Sequence, residues 1–217
     1  MILLKNYSFI TEYFPYYMDG LKYTLYVSLL SVLIGMMLGI LFAMMKLSKN
    51  KVLQVISSCY INFIRGTPML IQVYIVYYVL CVNLPNLVSA VIALSINSGA
   101  YSAEIIRAGI QSVDKGQMEA ARSLGMSRIK AMIYIILPQA IKNILPAMCN
   151  EFIGDIKATS LMSVIAVHEL MYNANIVRSL IYRAFEPLIV AAVLYFTITY
   201  ILKLMVGLLE RRLQASD

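Results

Sequence analysis

Continuous apolar blocks, each long enough to cross a lipid bilayer, most constrain the fold of this chain. The first block runs from Leu21 to Met45 and is followed by Lys46, Lys49 and Lys51. A transmembrane helix needs roughly 20 predominantly apolar residues, whereas the strands of a membrane β-barrel alternate apolar and polar residues over short segments. With 61% hydrophobic and 13% charged residues among 217, the sequence predicts an all-α, polytopic membrane protein and not a soluble domain.

Five such blocks predict five transmembrane helices in a single domain that covers residues 1–217. They span residues 21–45, 52–82, 87–106, 144–167 and 187–209. Arg65-Gly66-Thr67-Pro68 interrupts the second block, which is predicted as one long helix, kinked or restarted near Pro68. Gly35 and Gly39 form a GxxxG pair in the first block. Either another helix packs closely there or the pair is a chance occurrence in an apolar run.

Lysine and arginine residues are distributed unevenly between the two sides of the predicted helix bundle. If the first loop, the 107–142 loop and the C-terminus share a side, that side holds eleven of them: Lys46, Lys49, Lys51, Arg107, Lys115, Arg122, Arg128, Lys130, Lys142, Arg211 and Arg212. The other side holds four: Lys5, Lys22, Arg178 and Arg183. Positive residues concentrate on the cytoplasmic side, so the N-terminus is predicted outside and the C-terminus in the cytoplasm. The net charge of +7 follows from these flanking loops and does not indicate nucleic acid binding.

A polar, basic segment at residues 107–138 separates the third and fourth predicted spans. Asp114 and Gln117 fit a capping box, in which each side chain bonds the backbone of the other. The sequence therefore predicts a helix from about residue 115 to residue 124. Gly125 suits the left-handed residue that ends such a helix, and Ser127 can cap a second short helix that leads toward the fourth span.

Two short helices with a sharp corner form a rigid element that is suited to docking a soluble partner on the cytoplasmic face. Ala120 and Ala121 are small, so that a partner surface can come close to the backbone. Glu119 adds an anionic group that can pair with a basic group of the partner. The alternative is an ordinary amphipathic linker between two spans.

Three motifs in this chain resemble those of one transporter family. Glu119-Ala120-Ala121, three residues, Gly125, nine residues and Ile135-x-Leu137-Pro138 together resemble the EAA signature of permease subunits of type I ABC importers. Arg65-Gly66-Thr67-Pro68-x-Leu70-x-Gln72 resembles a hallmark of the polar amino acid uptake branch of that family. The run AYSAEIIRAGI at residues 100–110 resembles a third hallmark and leads directly into the first. The resemblance covers nearly the whole chain.

The resemblance implies a non-catalytic subunit of an ATP-driven importer in the bacterial cytoplasmic membrane. Two permease subunits, identical or related, would pair. Two cytoplasmic ATPase subunits would carry ATP and Mg²⁺, and this chain itself would bind no cofactor and no metal. An extracytoplasmic binding protein would deliver a polar amino acid, and ATPase motion would drive alternating access. The residues that would couple to the ATPase are Glu119, Ala120, Ala121, Ser123, Leu124 and Gly125. Consistent with this assignment, the chain has no GxxxxGK[ST] phosphate loop.

The fourth predicted span carries ionisable residues, which are costly at membrane depth and often functional. Glu151 and Asp155 are four residues apart and share a helix face. Either is a candidate to meet the ammonium group of an amino acid. Lys157, Thr159 and Ser160 are candidates to meet its carboxylate. Alternatively, Glu151 lies at the inner interface and Lys157 pairs within the assembly.

Further polar residues lie in the second and third spans. Gln72, Asn97 and Ser98 are candidates for the substrate path, with hydrogen bonding between helices as the alternative. Arg65 either lines an inner gate or extends to the lipid headgroups. Members of the family commonly carry an acidic residue after the lysine of the fourth span, and Ala158 stands there instead, which makes a cationic amino acid a less secure substrate.

An ion-coupled secondary transporter is the alternative function. Such transporters usually have more spans and repeated halves, and neither is evident in this sequence. A large rigid cytoplasmic element also has no obvious role in them.

Overall fold

The computed structural model describes residues 8–214, and all regular secondary structure in that range is helical. The α-helices are α1 (Ser8–Leu47), α2 (Lys51–Gly66), α3 (Met69–Ile75), α4 (Asn86–Gln111), α5 (Lys115–Ser123), α6 (Arg128–Ala131), α7 (Leu137–Ala158), α8 (Leu170–Leu180) and α9 (Glu186–Gln214). Two π-helical turns, Val76–Leu80 and Met132–Ile136, continue α3 and α6, and a 3₁₀ helix, Thr159–Ile165, continues α7.

The packing of α1 against α4 forms the centre of the structure, and small residues allow it. Gly35 and Gly39 of α1 are buried. A Cβ added at Gly35 would come within 2.9 Å of Ser98, and one added at Gly39 within 2.5 Å of Ser102. Neither position can hold a larger residue without displacing α4. The GxxxG pair predicted from the sequence is therefore a helix-packing contact within this chain.

The first helix includes residues 8–20, which precede the predicted span that starts at Leu21. The additional turns pack against α8: Tyr17 is completely buried in a cluster with Leu170 and Ala174. Thr24 Oγ1 accepts a hydrogen bond of 3.1 Å from the backbone N–H of Leu170. This part of α1 packs against a segment that is distant in the chain, and local hydropathy does not reveal that contact.

The second apolar block is interrupted near Pro68, as its sequence predicts, and the helix restarts there at a sharp angle. The segments Lys51–Gly66 and Met69–Leu80 meet at an angle of 111°. The buried Gln72 side chain bridges the break, because its Nε2 donates to the carbonyl of Ile64 (2.7 Å) and to the carbonyl (3.1 Å) and hydroxyl (2.8 Å) of Thr67. These bonds supply donors to carbonyls that the interrupted helix leaves without intrahelical partners.

Within residues 8–214, three helical segments are long and apolar enough to cross a membrane: Ser8–Leu47, Arg128–Ile165 and Glu186–Leu213. The bent pair gives a fourth candidate if it is counted as one span. A helical membrane protein is confirmed, but the predicted number of five spans is not, because α4 is not among these segments. Many of its buried residues are small and polar, including Ser89, Ser95 and Ser98, and these lower its hydropathy.

The predicted fourth span, 144–167, also differs from the structure. Helix α7 begins earlier, at Leu137, with Pro138 in its first turn and Pro146 in its interior. Its α-helix ends at Ala158, and the following residues, Thr159–Ile165, form the 3₁₀ helix. The polar stretch that follows contains α8, which packs on α1 and α9.

Candidate functional site

The corner between α5 and α6 is capped at the residues that the sequence predicts, but the Asp114 side chain bonds the backbone of Gly116 and not that of Gln117, so the reciprocal capping box is not formed among the described residues. Asp114 Oδ1 accepts a hydrogen bond of 2.7 Å from the backbone N–H of Gly116. Gly125 adopts a left-handed conformation with φ of +83°, and its N–H donates to the carbonyl of Arg122 at 3.0 Å. Ser127 Oγ accepts from the N–H of Lys130 at 3.3 Å. Local bonds thus hold the turn that joins the two helices.

The outer surface of this corner is formed by the candidate coupling residues. Leu124 is 85% exposed, and Glu119, Ala120, Ser123 and Gly125 are also exposed. A large apolar side chain held in water is typical of an interaction site. Ala121 differs from the others, because it is only 5% exposed. Its small side chain allows α5 to pack on its own chain, so it does not offer a surface to a partner.

An ionic cluster connects the ends of α1 and α4, just before the corner. Glu104 accepts hydrogen bonds from Lys46 Nζ at 3.2 Å and from Arg107 Nε at 3.0 Å. Arg107 Nη2 also contacts Glu104, and its Nη1 donates to Gln111. All three charged groups are partly buried. Sequence reasoning missed the cluster, although the i, i+3 spacing of Glu104 and Arg107 is a signal for it.

A second charged group lies where α2 ends beside α4 and α7. The Arg65 guanidinium stacks over the Tyr101 ring at 5.1 Å from its centroid, within the range of a cation–π interaction. Glu151 lies within electrostatic reach of Arg65. Tyr101 was part of a sequence motif but was not predicted as a site residue, and its contact with Arg65 depends on the tertiary fold.

Asp155 lies deeper in the same region and is only 3% exposed. It is next to Ser98 and within electrostatic reach of Glu151, yet Asp155 Oδ2 and the Ser98 hydroxyl find no hydrogen-bond partner of good geometry among the described residues. A buried carboxylate oxygen without a partner is energetically costly. Arg65, Ser98, Glu151 and Asp155 are hereafter called the polar cluster.

The other predicted path residues are not part of the polar cluster. Asn97 Nδ2 donates to Gln72 Oε1 at 2.8 Å, so these two amides bond one helix to another, as the alternative interpretation has it. Thr159 Oγ1 and Ser160 Oγ bond backbone carbonyls of their own helix. Lys157 is exposed, on a different face of α7 from Asp155.

One completely buried carboxylate, Glu169, was not predicted as a site residue. It caps α8 by accepting from the N–H groups of Met171 (2.9 Å) and Tyr172 (2.7 Å), and it also accepts from the hydroxyl of Tyr195 (2.7 Å). Burial raises the pKa of the Glu169 carboxyl, and these three hydrogen bonds oppose the rise. Its bonding is complete, so we interpret it as structural.

Comparison with known proteins is consistent with this geometry. A family model described as "Binding-protein-dependent transport system inner membrane component" matches residues 35–215. The probable glutamine ABC transporter permease protein GlnM of Bacillus subtilis (strain 168) is 40% identical over 214 residues, 97% of this chain and 99% of the relative. The arginine transport system permease protein ArtQ of the same organism is 39% identical over 211 residues, 94% of each chain.

A solved structure extends the comparison to the whole fold. A chain from the crystal structure of an amino acid ABC transporter with histidines superposes with a TM-score of 0.92 and 46% identity, over 97% of this chain and 100% of that chain. The exposed corner and the surrounding helices are thus those of an ABC importer permease, and the chain belongs to the family of binding-protein-dependent transport system inner membrane components.

Proposed function

We propose that this chain is the permease subunit of an importer that moves a polar amino acid into a bacterial cell. Relatives of similar sequence identity are named for glutamine and for arginine. The proposal therefore names the class of substrate and not a particular amino acid. The observation that carries the proposal is the exposed, locally locked corner at Leu124 and Gly125. Family membership favours this function over an ion-coupled transporter.

The corner between α5 and α6 receives the motion of a cytoplasmic ATPase subunit. Glu119 and Leu124 contact the ATPase, and the left-handed Gly125 keeps both helices moving as one body. ATP and Mg²⁺ belong to the two ATPase subunits, and this chain performs no catalysis. A second permease subunit, the same chain or a related one, pairs with it, and an extracytoplasmic binding protein delivers the amino acid.

The chain crosses the membrane five times, with its N-terminus outside and its C-terminus in the cytoplasm. The bent pair α2–α3 forms one crossing, and α4 forms another although its hydropathy is modest. Other helices surround α4: it packs against α1, α2, α3 and α7. A span that is shielded from lipid in this way can carry small polar residues, because its neighbours replace the hydrocarbon. The excess of positive charge on one side supports the orientation.

The polar cluster lines the substrate path. The Asp155 carboxylate, which has an oxygen without a hydrogen-bond partner, offers a site for the ammonium group of the amino acid. Arg65, beside Glu151, stands at the cytoplasmic end of that path. Gln72 and Asn97 stabilise the break between α2 and α3. They do not contact the substrate and affect it only by shaping the path.

Replacing Asp155 by asparagine is expected to change the KM or the turnover number for amino acid uptake by at least about fivefold, which corresponds to about 1 kcal/mol. The substitution removes a charge and keeps the shape, so it lowers the cost of burial and the assembly stays folded. Uptake into proteoliposomes measures the first effect and thermal unfolding the second. Asp19→Asn is the control, because Asp19 is exposed and paired with Lys22. Unchanged uptake kinetics in Asp155→Asn would remove this residue from the path.

The function itself is tested by reconstituting the chain with its ATPase subunits and binding protein. We expect one polar amino acid to stimulate ATP hydrolysis and to accumulate inside the vesicles. Glu119→Lys reverses an exposed charge at the proposed contact and is expected to reduce both activities at least about tenfold, since coupling energies measured for close charge pairs at an interface start at about 1.5 kcal/mol.

Glu12→Lys is the matched control, because Glu12 is also exposed but lies on the opposite predicted side. Uptake driven by an ion gradient without ATP would contradict the proposal. So would wild-type coupling of ATP hydrolysis to transport in Glu119→Lys.

A further inference from the structure

A groove beside the cytoplasmic corner combines an apolar floor with a basic rim. It has a volume of about 600 Å³ and lies between the end of α1 and the segment that runs from α6 into α7. Met44, Ile129 and Ile133 belong to its floor and are 60%, 73% and 50% exposed. An exposed apolar surface of this kind in the described part of the chain is typical of a site that binds a ligand, a lipid or another protein. The proposed coupling residues 119–125 do not line this groove.

Two cations stand at the rim of the groove. Lys49 and Arg128 both line it, both are exposed, and no ion pair of either occurs among residues 8–214. Ser48 lies beside them; its oxygen accepts from the N–H of Asn50 and its own hydrogen remains available to donate. The groove has no carboxylate in its lining. Its ligand is therefore anionic at one end and apolar along its length.

One face of α1 leads into the groove from the membrane side. Met37, Leu41 and Met44 follow helical spacing and are 71%, 53% and 60% exposed. A hydrocarbon chain that lies along this face reaches the groove floor and brings its polar end to Lys49 and Arg128. With the orientation proposed above, this point is where α1 leaves the bilayer on the cytoplasmic side, at the depth of the headgroups.

We propose that this groove binds an anionic phospholipid, with the phosphate at Lys49 and Arg128 and an acyl chain on the apolar floor. Basic pockets at the cytoplasmic ends of transmembrane helices suit anionic headgroups. A free phosphate would make no contact with the apolar floor. A zwitterionic lipid would be attracted less strongly by Lys49 and Arg128 at the rim. The lipid then supports the cytoplasmic corner from the membrane side and leaves its outer surface to the ATPase.

Native mass spectrometry of the purified assembly with its ATPase subunits tests the proposal. Dioleoyl phosphatidylglycerol is titrated against dioleoyl phosphatidylcholine, which has the same acyl chains. Each cation near a bound anionic lipid contributes about fivefold in affinity, so Lys49→Gln with Arg128→Gln is expected to weaken phosphatidylglycerol binding about 25-fold. Phosphatidylcholine binding should stay unchanged, and glycerol 3-phosphate should fail to displace the lipid.

The matched control is Lys51→Gln with Arg211→Gln, which removes one lysine and one arginine from the same predicted side but outside the groove. It is expected to leave phosphatidylglycerol binding within about twofold, well below the effect of the rim pair. Equal losses in both double variants would reduce the effect to general surface charge and overturn the proposal. Loss of the ATPase subunits from the Lys49/Arg128 variant, with lipid binding intact, would assign the groove to the ATPase instead. Neither substrate nor ATP hydrolysis is needed, so the result is independent of the transport function.

Discussion

Replacing Gly125 by proline is expected to abolish transport while the chain remains in the membrane. Gly125 has φ of +83°, whereas proline is fixed near −65°, and proline also removes the N–H that bonds the carbonyl of Arg122. A penalty of about 3 kcal/mol for reaching the observed corner lowers its population more than a hundredfold. ATP-driven uptake and ATPase stimulation in proteoliposomes measure the loss, and membrane extraction measures insertion.

Gly125→Asn is the matched control, because asparagine tolerates the left-handed region far better than other residues that carry a Cβ. Apart from the two adjacent residues, no heavy atom lies within 4 Å of a Cβ added at Gly125, so crowding by other parts of the chain cannot explain a defect. We expect the asparagine variant to retain most of its transport. Wild-type uptake in Gly125→Pro, or equal loss in both variants, would show that the backbone conformation of the corner has no role in coupling.

The second large effect is expected from Gly39→Val in the contact between α1 and α4. A Cβ at this position would lie 2.5 Å from Ser102 Cβ and 3.0 Å from backbone atoms of α4, so the helices must separate. Overpacking of this kind costs about 1–3 kcal/mol and occasionally more, and we expect the unfolding temperature to fall by about 5–10 °C. Thermal unfolding and size-exclusion chromatography of the purified assembly measure the effect.

Gly207→Val provides the comparison, because Gly207 also lies within a long helix but has no heavy atom within 4 Å of its added Cβ. The change from glycine to valine alters backbone and side-chain conformational entropy equally in both variants. Only in Gly39→Val does the new side chain clash with α4. Equal unfolding temperatures in the two variants would mean that the close approach of α1 and α4 contributes nothing to stability.

Local features of this fold are predictable from the sequence, because neighbouring residues determine them. Asp114 and Ser127 cap the helices of the corner, and Gly125 ends the first of them in the conformation that its position predicts. Each feature depends on a few consecutive residues and on backbone hydrogen bonds within one turn. The general class, a helical membrane permease, follows from the apolar blocks and three motifs in the expected order.

Features that depend on distant pairs are not predictable in this way. The burial of Tyr17 and the hydrogen bond to Thr24 depend on packing against α8, more than 140 residues away in the chain. The salt bridge between Lys46 and Glu104 joins two helices whose sequences give no sign of their register. In the polar cluster, the four-residue spacing of Glu151 and Asp155 predicts their shared helix face, whereas the stacking of Arg65 over Tyr101 depends on the tertiary fold.

The 111° break between α2 and α3 also has a consequence for the biogenesis of this protein. Helix α2 has 16 residues, which rise about 24 Å and fall short of a hydrocarbon core of about 30 Å. The segment Met69–Leu80 is shorter still. Neither helix alone is long enough to span the hydrocarbon core as an independent transmembrane segment. We therefore expect the two helices to enter the bilayer together, with the helix Asn86–Gln111 that packs against both.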